Sequence, residues 1–460
     1  MATEAAPSTG AHNPTAELAT WAAELTADRI PPAIRERTID LLIDSVACAL
    51  PADRAEEMGA VASFADVLGS RAETTVIGRA ERRSPAGAAL VNAYRITALT
   101  ACDVYTPAHV HVTPEVVPPA LAVAEERGAS GTDLLVGLAA GFEVATRVAA
   151  GLRYEAFRAR GWHTPGVAGP FGGAAAVGRL IGLDPDRMRN ALGLAGSQAA
   201  GTWAAWGTAT VKFHQARAAI SGLLAANLAA TGFAAADDVL TNPDGGILNV
   251  YSDGGDPEAV VSGLGERWEL GRISLRPWPG ATPVQPVITG LFQLMQDGSL
   301  VTPSDASLRI FVAPSVHSQH ARFRHPTGTF EAMLSIDYAA AAVMAFGRLG
   351  FDEFMPSVYG RPEIVERIDR QITLLPDPEL TPLQCRLELG DPDPRIVVVT
   401  IPKGHPDDPA SRALLAEKFH SCAAGVLDAA RAAKLLATLE HLEKLTDVRE
   451  LCAQLRTGEA

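Results

Sequence analysis

Eight polar side chains in the sequence are of types that could do acid–base chemistry on an anionic substrate. Histidine titrates near neutral pH and can act as a general base or acid, while lysine and arginine stabilise negative charge. A carboxylate can orient an imidazole, and a tyrosine hydroxyl can donate a proton. The candidates are Asp103, Thr106, His111, His163, Lys212, His214, Arg276 and Tyr338. They are spread over more than half of the chain, so folded elements must bring them together.

His163 stands at the start of a glycine-rich run, GWHTPGVAGPFGGAAAVGRLIG (161–182). The run lacks the Gly-Lys-Ser/Thr of a Walker loop, and no β-rich run precedes it, so nucleotide binding is not indicated. Its small residues are better explained by helix backbones that approach closely in the interior of a bundle. Taken alone, His163 is either a buried structural histidine with satisfied ring nitrogens or the base of an active site.

A proline-bounded loop, ACDVYTPAHVHVTPEVVPP (101–119), precedes a helix that is predicted to begin near Pro118. Loops that carry several titratable groups between packed helices are frequent places for functional sites. A metal site at His109 and His111 would need a third ligand that the local sequence does not supply. We therefore predict no metal site here.

Lys212 and His214 open a predicted helix in VKFHQARAA (211–219). Cations in a first helical turn oppose the helix dipole unless an anion lies nearby. The turn is therefore either simply solvated or close to an anionic ligand. Arg276 in SLRPWPG and Tyr338 in LSIDYAAAA complete the set, although a lone tyrosine is more often a core residue than a proton donor.

The pattern of apolar residues divides the chain into a helical part and a mixed part. With 460 residues, the chain exceeds the size at which one hydrophobic core stops growing. Residues 1–14 are predicted to be disordered, and 15–268 to form a large all-helical domain. Short β-rich runs alternate with helical ones over 269–402, which predicts a smaller inserted α+β domain. Residues 403–460 are predicted to be helices that rejoin the first domain, so the fold class is mainly α.

Composition argues against several classes of protein. The formal net charge of −14 and the isoelectric point near 5.3 disfavour nucleic acid and anionic membranes as partners. The N-terminus has no basic segment followed by an apolar one, and charges interrupt the long apolar runs, so a cytoplasmic protein without membrane spans is expected. The five cysteines lie far apart, which disfavours disulfides, structural zinc and iron–sulfur clusters.

Taken together, several segments resemble the MmgE/PrpD family, whose members include 2-methylcitrate dehydratase, cis-aconitate decarboxylase and iminodisuccinate epimerase. In the family's order, they are LLIDSVACAL, HVTPEVVPPALAVAE, GWHTPGVAGPFGGAAAVGRLIGLDPDRMRNALGLAGSQAAG, KFHQARAA, SLRPWPG, LSIDYAAAAV and IPKGHPDDPASRALLAEKF. The resemblance implies the MmgE/PrpD fold, a large helical domain with a smaller α+β domain. It also implies a homodimer, an active site without a cofactor in the cleft between the domains, and a small anionic carboxylate as substrate.

The resemblance further implies catalytic roles. His163, His111 and Tyr338 match family residues one for one, whereas Asp103 and Thr106 match only if a one-residue gap is allowed. On this basis one histidine is the base, and Tyr338 or the other histidine is the acid. Asp103 would orient an imidazole, and the two histidines cannot be ranked.

Substrate-binding roles fall to Lys212 and Arg276, with Thr106 and His214 beside them. Lys212 is shifted by one place relative to the family motif, and Arg276 replaces a common lysine. The cysteine and histidine that often follow are replaced within 280–285. These departures are expected to alter the pocket.

The function expected from these residues is that of a cofactor-independent lyase, most simply a hydro-lyase, that removes a proton next to a carboxylate. Such a step makes an enolate-like intermediate that fixed cations must stabilise. A decarboxylase belongs to the same class. The alternatives are an epimerase or isomerase that returns the proton, and a divergent member that acts on a larger, less charged biosynthetic intermediate.

Overall fold

Helices dominate the first part of the chain in the computed structural model, which describes residues 13–408 and 411–458. They are α1 (Pro14–Glu24), α2 (Pro32–Ala49), α3 (Met58–Ala65), α4 (Pro85–Thr97), α5 (Thr113–Arg127), α6 (Gly131–Gly151), α7 (Tyr154–Ala159), α8 (Thr164–Ile181), α9 (Pro185–Gly196), α10 (Thr210–Ala230), α11 (Ile247–Tyr251) and α12 (Pro257–Val261). Four two-residue strands form two antiparallel pairs, β1 (Thr74–Thr75) with β2 (Arg82–Arg83), and β3 (Val104–Tyr105) with β4 (Ile273–Ser274).

Glycines let the central helices α6, α8 and α10 pack at short range. A Cβ atom added to Gly141 would lie 2.8 Å from the carbonyl oxygen of Gly172, and one added to Gly172 would lie equally close to that of Gly141. A Cβ atom on Gly222 would lie 2.7 Å from the Cα atom of Gly173. Only glycine fits such approaches, which confirms the structural interpretation of the glycine-rich run.

By length and composition alone, α6 could cross a membrane, because it has 21 residues and its most apolar window has a mean hydropathy of 1.4. In the fold, 94% of that window is buried, as in the core helix of a globular domain. Its two internal charges pair with each other: Nε of Arg147 donates to Glu143 at 2.6 Å. Glu143 also accepts from the backbone N–H groups of Glu269 and Leu270.

Helix α5 begins at Thr113, five residues before the predicted start near Pro118. The carboxylate of Asp103 accepts from the backbone N–H groups of Val112 (2.9 Å) and Thr113 (3.2 Å) and from the Thr113 hydroxyl (2.6 Å). Free N–H groups at a helix start need such partners. The cap comes from ten residues upstream, so rules for neighbouring residues miss it, and Pro118 and Pro119 lie inside the helix.

The mixed part of the chain is built around a four-stranded sheet. It contains α13 (Val284–Gln296), β5 (Leu308–Val312), α14 (Pro314–His320), α15 (Thr329–Leu334), α16 (Ile336–Phe346), α17 (Pro356–Tyr359), α18 (Pro362–Gln371), β6 (Ile372–Pro376), β7 (Cys385–Leu389) and β8 (Arg395–Val399). The strand order is β6-β5-β7-β8, in which β5 runs parallel to β6 and the other pairs are antiparallel. Helix α13 packs on β7 and β8, and α16 on β6. The predicted fold class, mainly α with a smaller α+β unit, is confirmed.

The C-terminal helices return to the helical part of the molecule. They are α19 (Ser411–Ala423), α20 (Ala429–Glu440) and α21 (Arg449–Leu455). Helix α19 packs against α2, where Lys418 forms a buried ion pair with Asp44. Nζ of Lys418 also donates to the main-chain carbonyl of Arg276 at 2.9 Å, so α19 connects the helical part with the start of the mixed part.

The ends of the predicted domains differ in detail from the observed contacts. Strand β4 lies beyond the predicted boundary at 268, yet it pairs with β3 of the helical part. The predicted disordered segment, 1–14, lies outside the described residues except at its end. There the Asn13 side chain caps α1, and Pro14 is its first residue.

Candidate active site

A cavity of about 260 Å³ opens between the helical part and the mixed part of the molecule. The helical part lines it with residues that include Thr97, Thr100, His109, His111, Tyr154, Arg158, His163, Trp203, Trp206, Lys212 and Gln215. The mixed part adds, among others, Arg276, Ser315, Val316, Gln319, His320, Phe330, Leu334 and Leu383. The fold thus brings four of the predicted residues to one cavity: His111, His163, Lys212 and Arg276.

A larger cavity of about 490 Å³ lies next to the first and is lined by Ala101 among others. Its two arginines are already paired: Arg54 with Asp352 at 2.5 Å, and Arg348 with Glu353 at 2.7 Å. Because Asp352 and Glu353 neutralise these arginines, neither guanidinium group is available to bind an anionic substrate. The smaller cavity is therefore the better candidate for an active site.

His111 is held as a neutral imidazole in one tautomer. Its Nδ1 atom lies 2.6 Å from the main-chain carbonyl oxygen of Asp103. Because a carbonyl oxygen can only accept, Nδ1 carries the proton and Nε2 keeps its lone pair. Burial, followed by the charge of Arg276, lowers the pKa of His111 to about 3. At neutral pH the residue therefore offers a proton acceptor.

His163 lies at the N-terminal end of α8, and His214 of α10 supports it. The main-chain N–H of His163 donates to the carbonyl of Gly201 at 3.0 Å. The Nδ1 atoms of the two histidines lie 3.1 Å apart, so one donates and the other accepts. Burial lowers the pKa of His163 well below its usual value, and the charge of His214 adds to the effect. His163 can thus offer its Nε2 atom to a substrate, while His214 lies outside the cavity lining.

Lys212 presents a buried ammonium group to the cavity. Its side chain donates to the main-chain carbonyl of Ala98, and Nζ lies 4.3 Å from the centre of the Phe330 ring. Within the described parts of the chain, no carboxylate forms an ion pair with it. Burial lowers the pKa of Lys212 to about 8. The group is therefore a cation that can release a proton close to neutral pH.

Arg276 is a second buried cation, and the protein holds it in a fixed orientation. Its Nε donates to the carbonyl of Cys102, and Nη1 donates to the carbonyl of Gly280 at 3.1 Å. Nη2 lies 3.4 Å from the Cys102 sulfur. Since a guanidinium group has five N–H bonds, each terminal nitrogen keeps one for a carboxylate.

Asp103 and Thr106 lie behind the cavity wall. The Asp103 carboxylate is fully buried, and burial raises its pKa to about 6 despite the hydrogen bonds that cap α5. Its contact with His111 is made by the main-chain carbonyl instead of the predicted side chain. Thr106 lines a narrow separate space beside Lys403 and His405. The structure does not bring Thr106 to the candidate site.

The structure also keeps Tyr338 away from the cavity. Its hydroxyl donates to the main-chain carbonyl of Glu353, and its ring packs against Phe354 at a centroid distance of 5.7 Å. Burial, with the charge of Glu353, raises the pKa of the phenol. In this position Tyr338 cannot donate a proton to a molecule in the cavity, so of the two predicted acids only the histidine lies at the cavity.

Several aromatic and cationic lining residues did not stand out in the sequence. Trp203 and Trp206 lie in GTWAAWG (201–207), between α9 and α10, and Arg158 lies on α7. The sequence did offer one indication that these tryptophans line a cavity. Both lie in a turn between two glycines, outside the apolar pattern of any helix. Phe330, on α15, gave none, because aromatic residues in short helices usually belong to a core.

The described residues hold no group of three or more histidine, cysteine or acidic side chains placed to bind a metal ion. All five cysteines are free and buried. Beside the imidazoles, the ionisable groups that line the cavity include the ammonium of Lys212, the guanidinium groups of Arg276 and Arg158, and the carboxylate of Glu155. Together they can bind carboxylates, accept a proton and donate one.

Comparisons with known proteins cover nearly the whole chain. The model of the MmgE/PrpD N-terminal domain matches residues 16–260, and that of the MmgE/PrpD C-terminal domain matches 278–444. Cis-aconitate decarboxylase-like protein oryM of Aspergillus oryzae is 30% identical, over 98% of this chain and 99% of its own length. Cis-aconitate decarboxylase of Aspergillus terreus is 28% identical over 98% and 97%, and the human enzyme of that name is 26% identical over 96% and 94%. Both walls of the cavity fall within these matches.

Proposed function

Because the chain belongs to the MmgE/PrpD family, we propose that it is a lyase that decarboxylates an unsaturated polycarboxylate of the cis-aconitate type. The names of its relatives support this reaction. The observation that carries the proposal is the pair of buried cations, Lys212 and Arg276, in a cavity where burial lowers the pKa values of His111 and His163 and keeps both neutral.

The proposed step breaks the bond between the saturated carbon and its carboxylate. CO₂ leaves, and the released electron pair forms a new double bond to the central carbon. The electrons of the original double bond move to the far carbon, next to a second carboxylate, as a dienolate. That carbon then takes a proton. The charge that develops in this step needs fixed cations in a site shielded from water.

Lys212 and Arg276 have separate tasks in this scheme. Arg276 binds a carboxylate through its free terminal N–H bonds, and its own hydrogen bonds keep it from moving. Lys212 stabilises the dienolate and then donates the proton, for which a pKa of about 8 is well matched. His163 can orient a remaining carboxylate when its Nδ1 accepts from His214, because Nε2 then carries the proton and donates. The lone pair on Nε2 of His111 accepts a proton and does not bind an ionised carboxylate. In this proposal these side chains suffice without a cofactor.

A hydro-lyase is the second candidate, and the fixed tautomer of His111 favours it. The lone pair on Nε2 can take a proton from carbon next to a carboxylate. The electrons then expel a hydroxyl group from the β carbon, and Lys212 protonates the leaving group. The cations serve both reactions, so the products must separate them.

Proton NMR in D₂O tests the two reactions, with purified protein and a panel of cis-aconitate, citrate, 2-methylcitrate, malate and aspartate. A decarboxylase releases CO₂ from cis-aconitate and places one deuteron on the product. A hydro-lyase forms an alkene from a hydroxy acid without loss of CO₂, and an epimerase exchanges a proton without net change. Turnover of hydroxy acids alone, with no CO₂ from cis-aconitate or its substituted analogues, would contradict the decarboxylase proposal.

His111→Gln and a surface control connect the activity to the cavity. We expect the variant to lose activity, while Lys434→Gln on exposed α20 retains it. The homodimer and the cytoplasmic location stay predictions. Light scattering on the purified protein and fractionation of the producing cells test them.

A further inference from the structure

The cavity has an aromatic wall, made of Trp203, Trp206 and Phe330, beside its acid–base groups. We propose that this aromatic wall binds an apolar substituent, so that the preferred substrate is an alkyl- or aryl-substituted polycarboxylate. The inference rests on the proposed function, because it takes Lys212 and Arg276 to hold the carboxylates.

The two tryptophan rings stack on each other and form one apolar unit. Their ring centroids lie 5.8 Å apart, with the planes inclined by only 10°. The turn that carries them is bounded by Gly201 (φ 131°) and Gly207 (φ 92°), both in conformations that residues with side chains rarely adopt. Both rings are only partly buried, so each keeps apolar surface that a ligand can cover.

Neighbouring side chains fix the orientation of the rings. The guanidinium of Arg158 lies 4.0 Å from the centre of the Trp203 ring, and that of Arg322 lies 4.7 Å from the Trp206 ring. Trp206 also packs against Phe323 at a centroid distance of 5.4 Å. Cation–π and aromatic contacts of this kind hold a surface in place before a ligand arrives, which lowers the entropic cost of binding.

The aromatic wall is continuous with the acid–base groups. The Trp203 ring lies 5.8 Å from that of His163, and the Phe330 ring lies 4.3 Å from Nζ of Lys212. A substituent on a carbon next to the reacting one would therefore meet these rings. Burial of apolar surface against them is favourable, in proportion to the area removed from water.

The distribution of charge points the same way. The arginines and lysines that line the cavity are Lys212 and Arg276, both buried, and Arg158. The planar face of Arg158 is already stacked on Trp203. Two buried cations account for two carboxylates, and the exposed carboxylate of Glu155, which also lines the cavity, disfavours a third one there. The surface around the rings is therefore suited to hydrocarbon.

The test measures binding of compounds that cannot react. Tricarballylate lacks the double bond that would accept the electron pair, so it and its methyl-, propyl- and hexyl-substituted analogues serve as probes in isothermal titration calorimetry. We expect the Kd to fall about fourfold for each of the first few methylene groups. The corresponding substituted cis-aconitates should show a parallel rise in kcat/KM.

Substitutions in the aromatic wall should remove this gain selectively. Trp206→Ala is expected to abolish the dependence on chain length and to leave the Kd of unsubstituted tricarballylate within about twofold, since that probe does not reach the ring. Trp206→Phe should restore part of it. Trp21→Ala is the matched control, because Trp21 is a partly buried tryptophan on α1 that packs against Trp268, at 5.5 Å, away from the cavity.

The outcomes separate this inference from the proposed function. Turnover of cis-aconitate with the same Kd for every chain length would overturn the inference and leave the decarboxylase proposal intact. Equal weakening of all probes by Trp206→Ala would also overturn it, because the rings would then only shield the cavity. Binding that strengthens with chain length, without turnover of any unsaturated analogue, would support the aromatic wall and overturn the decarboxylation.

Discussion

Lys212, which lines the smaller cavity, and Lys418, which lines the larger one, are buried to nearly the same extent. They differ in whether the protein gives their charge a counterion. They are 5% and 7% exposed. Nζ of Lys418 pairs with Asp44 at 2.6 Å and donates to the carbonyls of Ala101 (2.6 Å) and Arg276 (2.9 Å). Lys212 faces the cavity, with one carbonyl and an aromatic ring as its contacts.

The two pKa values shift in opposite directions for this reason. Burial lowers the pKa of both lysines, but at Lys418 the charge of Asp44, the neighbouring Cys48 and Cys422 and the hydrogen bond to Asp44 together outweigh burial and raise the pKa above its usual range. A buried cation with a counterion in the fold serves the structure. A buried lysine without such a counterion is neutralised when an anion binds, which makes the cavity lined by Lys212 the better candidate site.

The largest expected effect comes from Lys212→Met, which removes the cation on the cavity side. Because Lys212 would supply both charge stabilisation and a proton, kcat/KM should fall on the order of 10³- to 10⁴-fold. Steady-state assays with the best substrate of the cis-aconitate series measure this. The free energy of unfolding should not fall, since a buried charge without a counterion is removed.

Lys434→Met on the exposed face of α20 is the control and should retain full activity. A fall of less than tenfold in Lys212→Met would remove the distinction between the two lysines. It would also leave the proposed proton donor without support.

The same substitution at the paired lysine, Lys418→Met, should mainly lower the free energy of unfolding. Asp44 would be left buried without its partner, and breaking a buried pair costs about 3–5 kcal/mol. Urea unfolding followed by circular dichroism measures the change. The double variant Asp44→Asn/Lys418→Met should recover most of the loss, and equal loss in both proteins would contradict the pairing argument.

The dependence of kcat/KM on pH tests the role of Lys212 in the unaltered protein. Lys212 must be protonated to donate, and its pKa is about 8, so kcat/KM should fall tenfold per pH unit above that value. Burial lowers the pKa of His111 to about 3, so this residue causes no loss between pH 7 and 5. Burial raises the pKa of Asp103, whose carboxylate caps α5, to about 6, so a limb at that pH is expected from Asp103. Assays in overlapping buffers test this, and an acidic limb near pH 6.5 that persists in Asp103→Asn would show instead that a histidine of ordinary pKa controls the reaction.

The smallest expected effect concerns His214, which supports His163 from behind the wall. His214→Phe keeps a ring of similar shape but removes the Nδ1 contact of 3.1 Å. We expect kcat to fall about tenfold with little change in KM, as for other partners that orient a catalytic imidazole. His214→Gln should recover part of the activity, and failure to do so would indicate that packing alone is at work.

The sequence was sufficient to predict the fold class and the four polar groups that meet in the cavity. His163 and Lys212 stand beside helix starts, and Arg276 stands in a proline-rich turn, but their place in a cleft between the domains was implied by the resemblance to the family. Tyr338 also opens a helix, α16, but packing against Phe354 turns its side chain into the core. The direction of a side chain is set by tertiary contacts that local sequence does not contain.

The other differences have the same origin. The early start of α5 depends on Asp103, a cap from a distant part of the chain. The aromatic wall depends on rings from two different parts of the molecule, Trp203 with Trp206 and Phe330. In the sequence such residues resemble ordinary core aromatics, and only the folded chain shows that they border a cavity.

The turn from Gly201 to Gly207 carries a consequence for protein engineering. Its first half is tied to the start of α8, because the N–H of Trp203 donates to the carbonyl of Gly161 at 2.7 Å and its ring lies 5.8 Å from that of His163. A library that keeps Trp203 and randomises 204–206 would therefore vary the group that is accepted while these contacts to His163 remain in place. Directed evolution for a new substituent can therefore begin in this turn and leave the helices unchanged.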